Sequence, residues 1–169
     1  MTQRAAQQEV WIIDGLRSPF AKSGGALKEM HAVQLGVHVL RALFYKLNFD
    51  VKNIDEVVLG NTGSPEDSAN VSRVVALEAG VPKNVPAYTV HRNCASAMEA
   101  ISQGFIKISM GMADCVVAGG TESMTNMPLI YSKQMTEFFG SMMRAKSMPQ
   151  KLAVLSNFRL GFLAPVIAI

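Results

Sequence analysis

The chain has 169 residues, of which 49% are hydrophobic and 17% are charged, which is typical of a folded domain with its own core rather than of a disordered segment. The formal net charge of +3 is too small to indicate nucleic-acid binding, and no nucleic-acid-binding motif occurs. No run of 18 apolar residues and no secretory signal occurs, so the sequence predicts neither a membrane span nor secretion.

The first third of the chain predicts a strand, a loop, a helix and a second strand. Val10–Asp14 is a short apolar run that ends at a glycine, which favours a buried strand. Arg17–Gly25 contains a proline and a glycine pair, which indicate a loop. His31–Leu47 carries apolar residues at helical spacing, which predicts an amphipathic helix. Val57–Gly60 predicts the second buried strand.

The middle of the chain continues the alternation of helices and strands. Ser68–Ala79 is predicted to be a helix that ends at Gly80, a residue suited to the left-handed position after a helix. Pro86–His91 predicts a strand, Ala95–Met112 a helix of small and apolar residues, and Cys115–Ala118 a fourth strand. Continuous apolar strands that alternate with helices indicate an α/β fold with a mostly parallel sheet, in the order βαβαβαβ, and with helices on both faces.

The character of the chain changes after Gly120. Apolar residues between positions 135 and 162 recur at roughly helical spacing, and Ser147 and Gln150 form a capping-box pattern at the start of a helix. The last 32 residues contain four basic residues and no acidic one. Segment 135–162 has two interpretations, namely helices that fold onto their own domain, or an amphipathic surface that contacts anionic lipid or lines an acyl-chain tunnel.

Cys94 is the candidate site residue, because it stands where a predicted strand meets a predicted helix. With Asn93 as the helix cap, Cys94 lies in the first helical turn, where free N–H groups stabilise a thiolate and an oxyanion. The alternative is a small residue that fills a tight corner, and the residues alone leave both open. Cys94 and Cys115 lack metal spacing, and their small number favours a reduced intracellular compartment. The sequence predicts no metal site.

Two stretches carry a resemblance to a known family. Residues 90–124, VHRNCASAMEAISQGFIKISMGMADCVVAGGTESM, resemble the acyl-enzyme signature of the thiolases, and GLRSPFAKSGGAL resembles their first strand and loop. The resemblance covers about residues 10–130. Residues 131–165 are similar to the insertion of the trifunctional-protein β-subunit type of thiolase.

The resemblance implies a fold, a reaction and partners. The expected fold is the N-terminal thiolase half in residues 1–128, followed by the beginning of a helical loop domain in residues 129–169. Cys94 would be the nucleophile that takes an acyl group from a 3-ketoacyl-CoA and passes it to coenzyme A, which serves as substrate and product rather than as a permanent cofactor. The implied partners are a second copy of the chain, a hydratase/dehydrogenase α-subunit and a membrane surface. The implied location is a bacterial cytoplasm or a mitochondrial matrix, peripheral to the inner membrane.

The chain departs from the family pattern in its missing motifs. The activating histidine of the family's G-H-P motif, the second cysteine of its C-x-G motif and its Asn/His-Glu-Ala-Phe motif do not occur in these residues. We therefore expect a truncated thiolase that does not complete the transfer alone. His91 does not match the missing base, and Cys115 is expected to be inert. The alternatives are a fragment of a ketosynthase-type condensing enzyme and a non-catalytic half-thiolase that binds a partner.

Overall fold

A computed structural model describes residues 8–128, 130–164 and 166. The chain divides into two compact units between Met127 and Pro128. Among these residues, the first unit contains a parallel sheet with three α-helices, and the second contains two α-helices and a 3-10 turn.

The sheet of the first unit has three parallel strands among the described residues. They are β1 (Glu56–Gly60), β2 (Ala87–Val90) and β3 (Val116–Gly120), in the spatial order β2-β1-β3. Val57 of the central strand pairs with residues of both neighbours, Ala87 and Val117. The predicted α/β class and parallel sheet are therefore confirmed.

The predicted strand Val10–Asp14 is wrong. Residues 10–14 belong to the described part of the chain and form no strand. The side chains of Trp11, Ile12 and Ile13 are 75%, 87% and 80% exposed. A strand requires hydrogen bonds to a neighbouring strand, and no strand among the described residues pairs with this segment. The segment thus has the apolar composition of a strand but no neighbouring strand to pair with.

Three helices connect and cover the strands. They are α1 (Ala32–Leu47), α2 (Val71–Glu78) and α3 (Ser96–Ser109). Helix α2 begins later than predicted because the side chain of Asn70 accepts a hydrogen bond from the Arg73 N–H at 3.1 Å and so caps it. Gly80 follows this helix with φ of 95°, as predicted for its position. Helix α3 ends before Met112, since Gly111 adopts φ of 67°.

The two faces of β1 are covered by different helices. Val57 and Leu59 belong to the main apolar core, together with residues of α1 and α2. Side chains alternate along a strand, so Val58 lies on the opposite face with Gly60, whose Cα approaches Ser96 of α3. All five residues of β1 are buried, which confirms the prediction of helices on both faces.

The second unit is a helical pair with an aromatic cluster. It consists of α4 (Lys133–Arg144), α5 (Met148–Ser156) and a 3-10 turn (Leu160–Leu163). The rings of Phe138 in α4 and Phe158, two residues beyond the end of α5, lie 5.2 Å apart and connect α4 to the chain that follows α5. The predicted capping box of α5 is confirmed, because the Ser147 N–H donates to Oε1 of Gln150 at 3.3 Å.

The surface of the second unit is rich in apolar side chains. Met143 and Leu152 are 87% and 61% exposed, and the basic residues of positions 144–159 are exposed as well. Of the helices formed by the described residues, none combines the length and the apolar character that crossing a membrane requires.

Candidate active site

Cys94 lies in the loop that joins β2 to α3. Strand β2 ends at Val90 and helix α3 begins at Ser96, so the loop stands at the carboxyl edge of the parallel sheet. Open parallel sheets place their ligands at this edge. The thiol of Cys94 is exposed, and a reagent therefore reaches it from solvent.

The backbone around Cys94 is a tight turn. Asn93 has φ of 48°, in the left-handed region that asparagine tolerates better than most residues. The N–H of Ala95 donates to the Arg92 carbonyl, and that of Ser96 donates to the Asn93 carbonyl, both at 3.1 Å. The prediction that Asn93 caps α3 is wrong, because the chain turns at Asn93 and Ala95 takes the cap position. Cys94 thus precedes the first helical turn instead of lying in it.

The side chain of Ser96 holds this turn together. Ser96 is only 4% exposed. Its Oγ accepts a hydrogen bond from the Arg92 N–H at 2.7 Å and donates to the Asn93 carbonyl at 2.7 Å. The Asn93 carbonyl also accepts from Oγ1 of Thr62 at 3.0 Å, so the loop after β1 contacts the Cys94 turn directly.

Two glycines allow α3 to approach the sheet. A Cβ added to Gly60 at the end of β1 would lie 2.3 Å from the carbonyl carbon of Ser96, and one added to Gly120 at the end of β3 would lie 2.7 Å from Cβ of Ala97. Any larger residue at either position would push the start of α3 away. The start of α3 therefore lies close to the carboxyl ends of both β1 and β3.

The carboxylate of Glu122 joins the loops that follow β1 and β3. Its Oε2 accepts the N–H groups of Thr62 at 2.8 Å and Gly63 at 2.9 Å. Its Oε1 accepts from Nδ2 of Asn61 at 3.3 Å and from the Ser123 N–H at 3.1 Å. One anionic side chain therefore fixes the conformation of the segment that contacts the Cys94 turn.

An ion pair flanks the site. The guanidinium of Arg92 contacts the carboxylate of Glu99 in α3. A hydrogen bond from Gln103, followed by the one from Arg92, lowers the pKa of Glu99. Glu99 therefore remains ionised and offsets part of the positive charge next to Cys94.

The remaining candidate residues lie outside the turn. His91 is exposed at the end of β2, and within residues 8–128 no hydrogen bond joins it to Cys94. His31 caps α1, and Nδ1 of His38 contacts the Gln34 carbonyl at 2.7 Å in the same helix. Burial, with a smaller effect of the Asp55 carboxylate, raises the pKa of the Cys115 thiol, which agrees with the prediction that Cys115 is inert.

Thr62, Ser96 and Glu122 are site residues that the sequence analysis missed. Thr62 and Glu122 each stand two residues beyond the end of a strand, at the edge where parallel sheets bind ligands. Their position just beyond a predicted strand could have identified both as candidate site residues. Ser96 gave no such signal, since a small residue at a helix start has many other uses.

A cavity of about 230 Å³ lies elsewhere in the first unit. Asp55, Glu56, Pro86 and Lys107 line it. Asp55 and Pro86 precede β1 and β2, so the cavity stands at the amino edge of the sheet, opposite the edge of Cys94.

Comparison with known proteins identifies the family. A family model described as thiolase, N-terminal domain, matches residues 10–164. The mitochondrial trifunctional enzyme subunit beta of Homo sapiens is 35% identical over 158 residues, which are 94% of this chain and 33% of that protein. A 3-ketoacyl-CoA thiolase of Pseudoalteromonas translucida is 33% identical over 155 residues, 92% of this chain and 36% of that protein.

A solved structure agrees with these matches. The acetyl-CoA acetyltransferase of Bacillus anthracis is similar with a TM-score of 0.70 and 39% identity, over 75% of this chain and 32% of that chain. This chain spans about a third of the length of the curated relatives that it matches. The family match includes all three strands and the Cys94 turn, and the chain therefore belongs to the thiolase family.

Proposed function

We propose that this chain is the N-terminal portion of a 3-ketoacyl-CoA thiolase and that Cys94 is the nucleophile that carries the acyl group. The observation that carries the proposal is the exposed thiol of Cys94, which lies in a hydrogen-bonded turn at the carboxyl edge of the sheet. The relatives reported above are named as thiolases, as an acetyltransferase and as a trifunctional enzyme subunit, which favours a thiolase over a ketosynthase-type condensing enzyme.

The reaction suits a thiol in this environment. The Cys94 thiolate attacks the keto carbon of a 3-ketoacyl-CoA, and the bond between the second and third acyl carbons breaks. The departing carbon takes a proton and leaves as acetyl-CoA. The acyl group remains on the cysteine sulfur as a thioester until the thiol of coenzyme A attacks it, and this division into two steps lowers each barrier.

We further propose that these 169 residues take up an acyl group without completing turnover. Turnover requires a base that speeds transfer to coenzyme A and an acid that protonates the departing carbon, whereas slow acylation by acetyl-CoA needs only the Cys94 thiolate. His91 is the histidine nearest to Cys94 in the sequence, and no hydrogen bond among the described residues connects them. We expect the base to come from a region that the longer relatives contain and these 169 residues do not.

Acylation of the purified chain tests the proposal. We expect acetyl-CoA to add one acetyl group to the intact protein, and peptide mapping to locate it on Cys94. The Cys94→Ser variant should lose the adduct. Cys115→Ser is the matched control and should retain it, because the Cys115 thiol is partly buried and its pKa is raised.

Each alternative corresponds to a different outcome. Turnover of 3-ketoacyl-CoA by this chain would contradict the need for a base from elsewhere. An adduct on Cys115 rather than Cys94 would contradict the assignment of the nucleophile. No adduct at all would support the non-catalytic half-thiolase that acts only as a binding partner.

We also propose that residues 129–169 begin a helical loop domain whose segment 135–162 contacts an anionic membrane surface. Exposed apolar side chains of α4 and α5 and the basic residues Arg144, Lys146, Lys151 and Arg159 support this proposal. Liposomes that contain anionic lipid should sediment the protein, and salt or replacement of the four basic residues by glutamine should release it. Equal binding to neutral and anionic liposomes would contradict the electrostatic part.

The proposed assembly is a homodimer that binds a hydratase/dehydrogenase α-subunit, in a bacterial cytoplasm or a mitochondrial matrix. One edge of β2 is free of strand partners among the described residues, and such an edge is able to pair with a second chain. Sedimentation equilibrium should give twice the monomer mass, and Thr89→Pro on β2 should reduce it. A monomer at all protein concentrations would contradict the dimer.

A further inference from the structure

The Asn93 carbonyl is the most heavily hydrogen-bonded group of the Cys94 turn. It accepts from Oγ of Ser96 at 2.7 Å, from the Ser96 N–H at 3.1 Å and from Oγ1 of Thr62 at 3.0 Å. The first two donors belong to the turn itself. Thr62 comes from the loop after β1, 31 residues earlier in the chain, and thus connects the turn to a separate part of the chain.

The orientation of this carbonyl determines the orientation of the Cys94 N–H. The two groups belong to one peptide unit, which is planar and trans, so they point in opposite directions. The left-handed conformation of Asn93 costs about 1–2 kcal/mol for an L-residue. Without its hydrogen bonds, the peptide between Asn93 and Cys94 would rotate toward a conformation of lower free energy. A hydrogen bond from outside the turn therefore helps to hold its orientation.

Thr62 is itself held in place. Oε2 of Glu122 accepts the backbone N–H groups of Thr62 and Gly63 at 2.8 and 2.9 Å. A Cβ on Gly63 would lie 2.7 Å from Oε1 of Glu122, so the loop and the carboxylate are closely packed. The backbone of Thr62 is therefore held by β1 and by the loop after β3, from outside the Cys94 turn, while its hydroxyl contacts the Asn93 carbonyl and, at 3.5 Å, Oγ of Ser96.

We propose that Thr62, held by Glu122, is a positioning residue that orients the Cys94 N–H toward the oxygen of an acyl group bound at the cysteine sulfur. This inference rests on the proposed function of Cys94. Attack of the thiolate on a thioester forms a carbon–sulfur bond and moves the carbonyl π pair onto oxygen, where the N–H donates a hydrogen bond. Return of that pair expels the thiolate of coenzyme A, which takes a proton from water.

Two reactions of the same sulfur separate positioning from general damage. Acetylation by acetyl-CoA passes through an oxyanion and depends on the N–H, whereas alkylation by iodoacetamide forms a carbon–sulfur bond as iodide leaves and develops no oxyanion. Thr62→Val removes the hydroxyl at nearly constant volume, and Thr62→Ser retains it. Thr121→Val is the matched control. Oγ1 of Thr121 also donates to a backbone carbonyl, that of Ala32 at 2.6 Å, and this carbonyl does not belong to the Cys94 turn.

The measured quantity is the ratio of acetylation rate to alkylation rate at Cys94. We expect Thr62→Val to lower the ratio about tenfold, less than the roughly 100-fold or greater loss that follows removal of a whole oxyanion donor. Thr62→Ser and Thr121→Val should keep the wild-type ratio. An unchanged ratio in Thr62→Val, or an equal fall in both rates, would overturn the inference while leaving the assignment of Cys94 intact.

A second measurement does not depend on acylation. The amide nitrogen resonance of Cys94 reports hydrogen bonding at the preceding carbonyl, so Thr62→Val should shift it and Thr62→Ser should not. If wild-type Cys94 is not acetylated, the proposed function fails, and the shift still decides the role of Thr62 in the peptide plane. No shift in Thr62→Val overturns that role.

Discussion

Strand β1 and segment 10–14 are alike in composition and opposite in environment. Both are short runs of apolar, mostly β-branched residues that end at a glycine. Val58 of β1 is fully buried between two pairing strands and helices on both faces, whereas Ile12 is 87% exposed and lies in no strand among the described residues. Apolar composition thus allows a strand, and neighbouring strands decide whether one forms.

The largest expected difference between the two regions comes from a buried charge. Val58→Asp places a carboxylate in the sheet without a partner, which costs about 3–5 kcal/mol, a large part of the stability of a typical domain. Ile12→Asp is the matched control, and an exposed substitution changes stability by about 0.5 kcal/mol at most. Urea unfolding followed by circular dichroism measures both.

A milder pair of substitutions at the same two positions allows the stabilities to be compared even if Val58→Asp does not fold. Val58→Ala should cost about 1–3 kcal/mol because it removes buried methyl groups, and Ile12→Ala should cost nothing measurable. Similar losses at both positions would mean that segment 10–14 is packed in solution, contrary to its exposure in the structure.

The second difference concerns the glycines that end the two runs. Gly60→Ala brings a methyl group to within 2.3 Å of the backbone of Ser96, whereas Gly15→Ala meets nothing within 4 Å. Backbone does not move aside as a side chain does, so Gly60→Ala should cost about 1–3 kcal/mol by overpacking. It should also slow modification of Cys94, since the start of α3 must shift.

The matched variant Gly15→Ala should be neutral or slightly stabilising, because alanine restricts the unfolded chain. Thermal unfolding and the rate of alkylation at Cys94 measure the two effects. A Gly60→Ala protein with wild-type stability and wild-type alkylation would mean that α3 is not packed closely against β1.

The sequence was sufficient for features with a local cause. Gly80 was predicted to end α2 because only a residue tolerant of positive φ fits after a helix, and the Ser147 capping box depends on residues three positions apart. The alternation of strands and helices also follows from local periodicity, which is why the fold class was correct.

Features that depend on distant residues were not predictable in the same way. The strand predicted for segment 10–14 was wrong because strand pairing depends on a neighbouring strand, which the residues of the segment itself do not reveal. The Cys94 turn depends on Thr62, and Thr62 depends on Glu122, which lies 60 residues further along the chain. The cap assigned to Asn93 was wrong for a related reason, since its left-handed conformation accompanies contacts with Ser96 and Thr62.

The third difference lies in the ion pairs of the two regions. Glu56 of β1 is buried and pairs with Lys107 of α3, whose Nζ also lies 4.9 Å from the centre of the Tyr88 ring. Asp14 pairs with Lys46 at 2.8 Å in a more exposed setting. Glu56→Gln should cost about 1–3 kcal/mol because the Lys107 ammonium loses its anionic partner inside the protein. Asp14→Asn should change stability too little to measure, and an equal loss in both would contradict this.

The smallest expected effect is the pH dependence of these pairs, which has opposite sign in the two regions. The hydrogen bond with Glu56 is the main cause that raises the pKa of Lys107. The pair therefore stabilises the fold fully below the ordinary lysine pKa of about 10.4, and the stabilisation disappears as pH rises through the raised pKa. The hydrogen bond from Lys46 is the main cause that lowers the pKa of Asp14, so its contribution is present above the ordinary aspartate pKa and disappears as pH falls through the lowered value.

Urea midpoints measured from neutral to alkaline pH separate the two pairs. Wild type and Asp14→Asn should lose stability together as Lys107 deprotonates, whereas Glu56→Gln should show a shallower decline because it removes the main cause that raises the pKa of Lys107. In acid, protonation of Asp14 should increase cleavage of segment 10–14 by protease before the sheet unfolds, since the exposed segment then loses its contact with α1. Equal alkaline slopes in wild type and Glu56→Gln would mean that the buried pair of β1 contributes no more to folding than the exposed pair of segment 10–14.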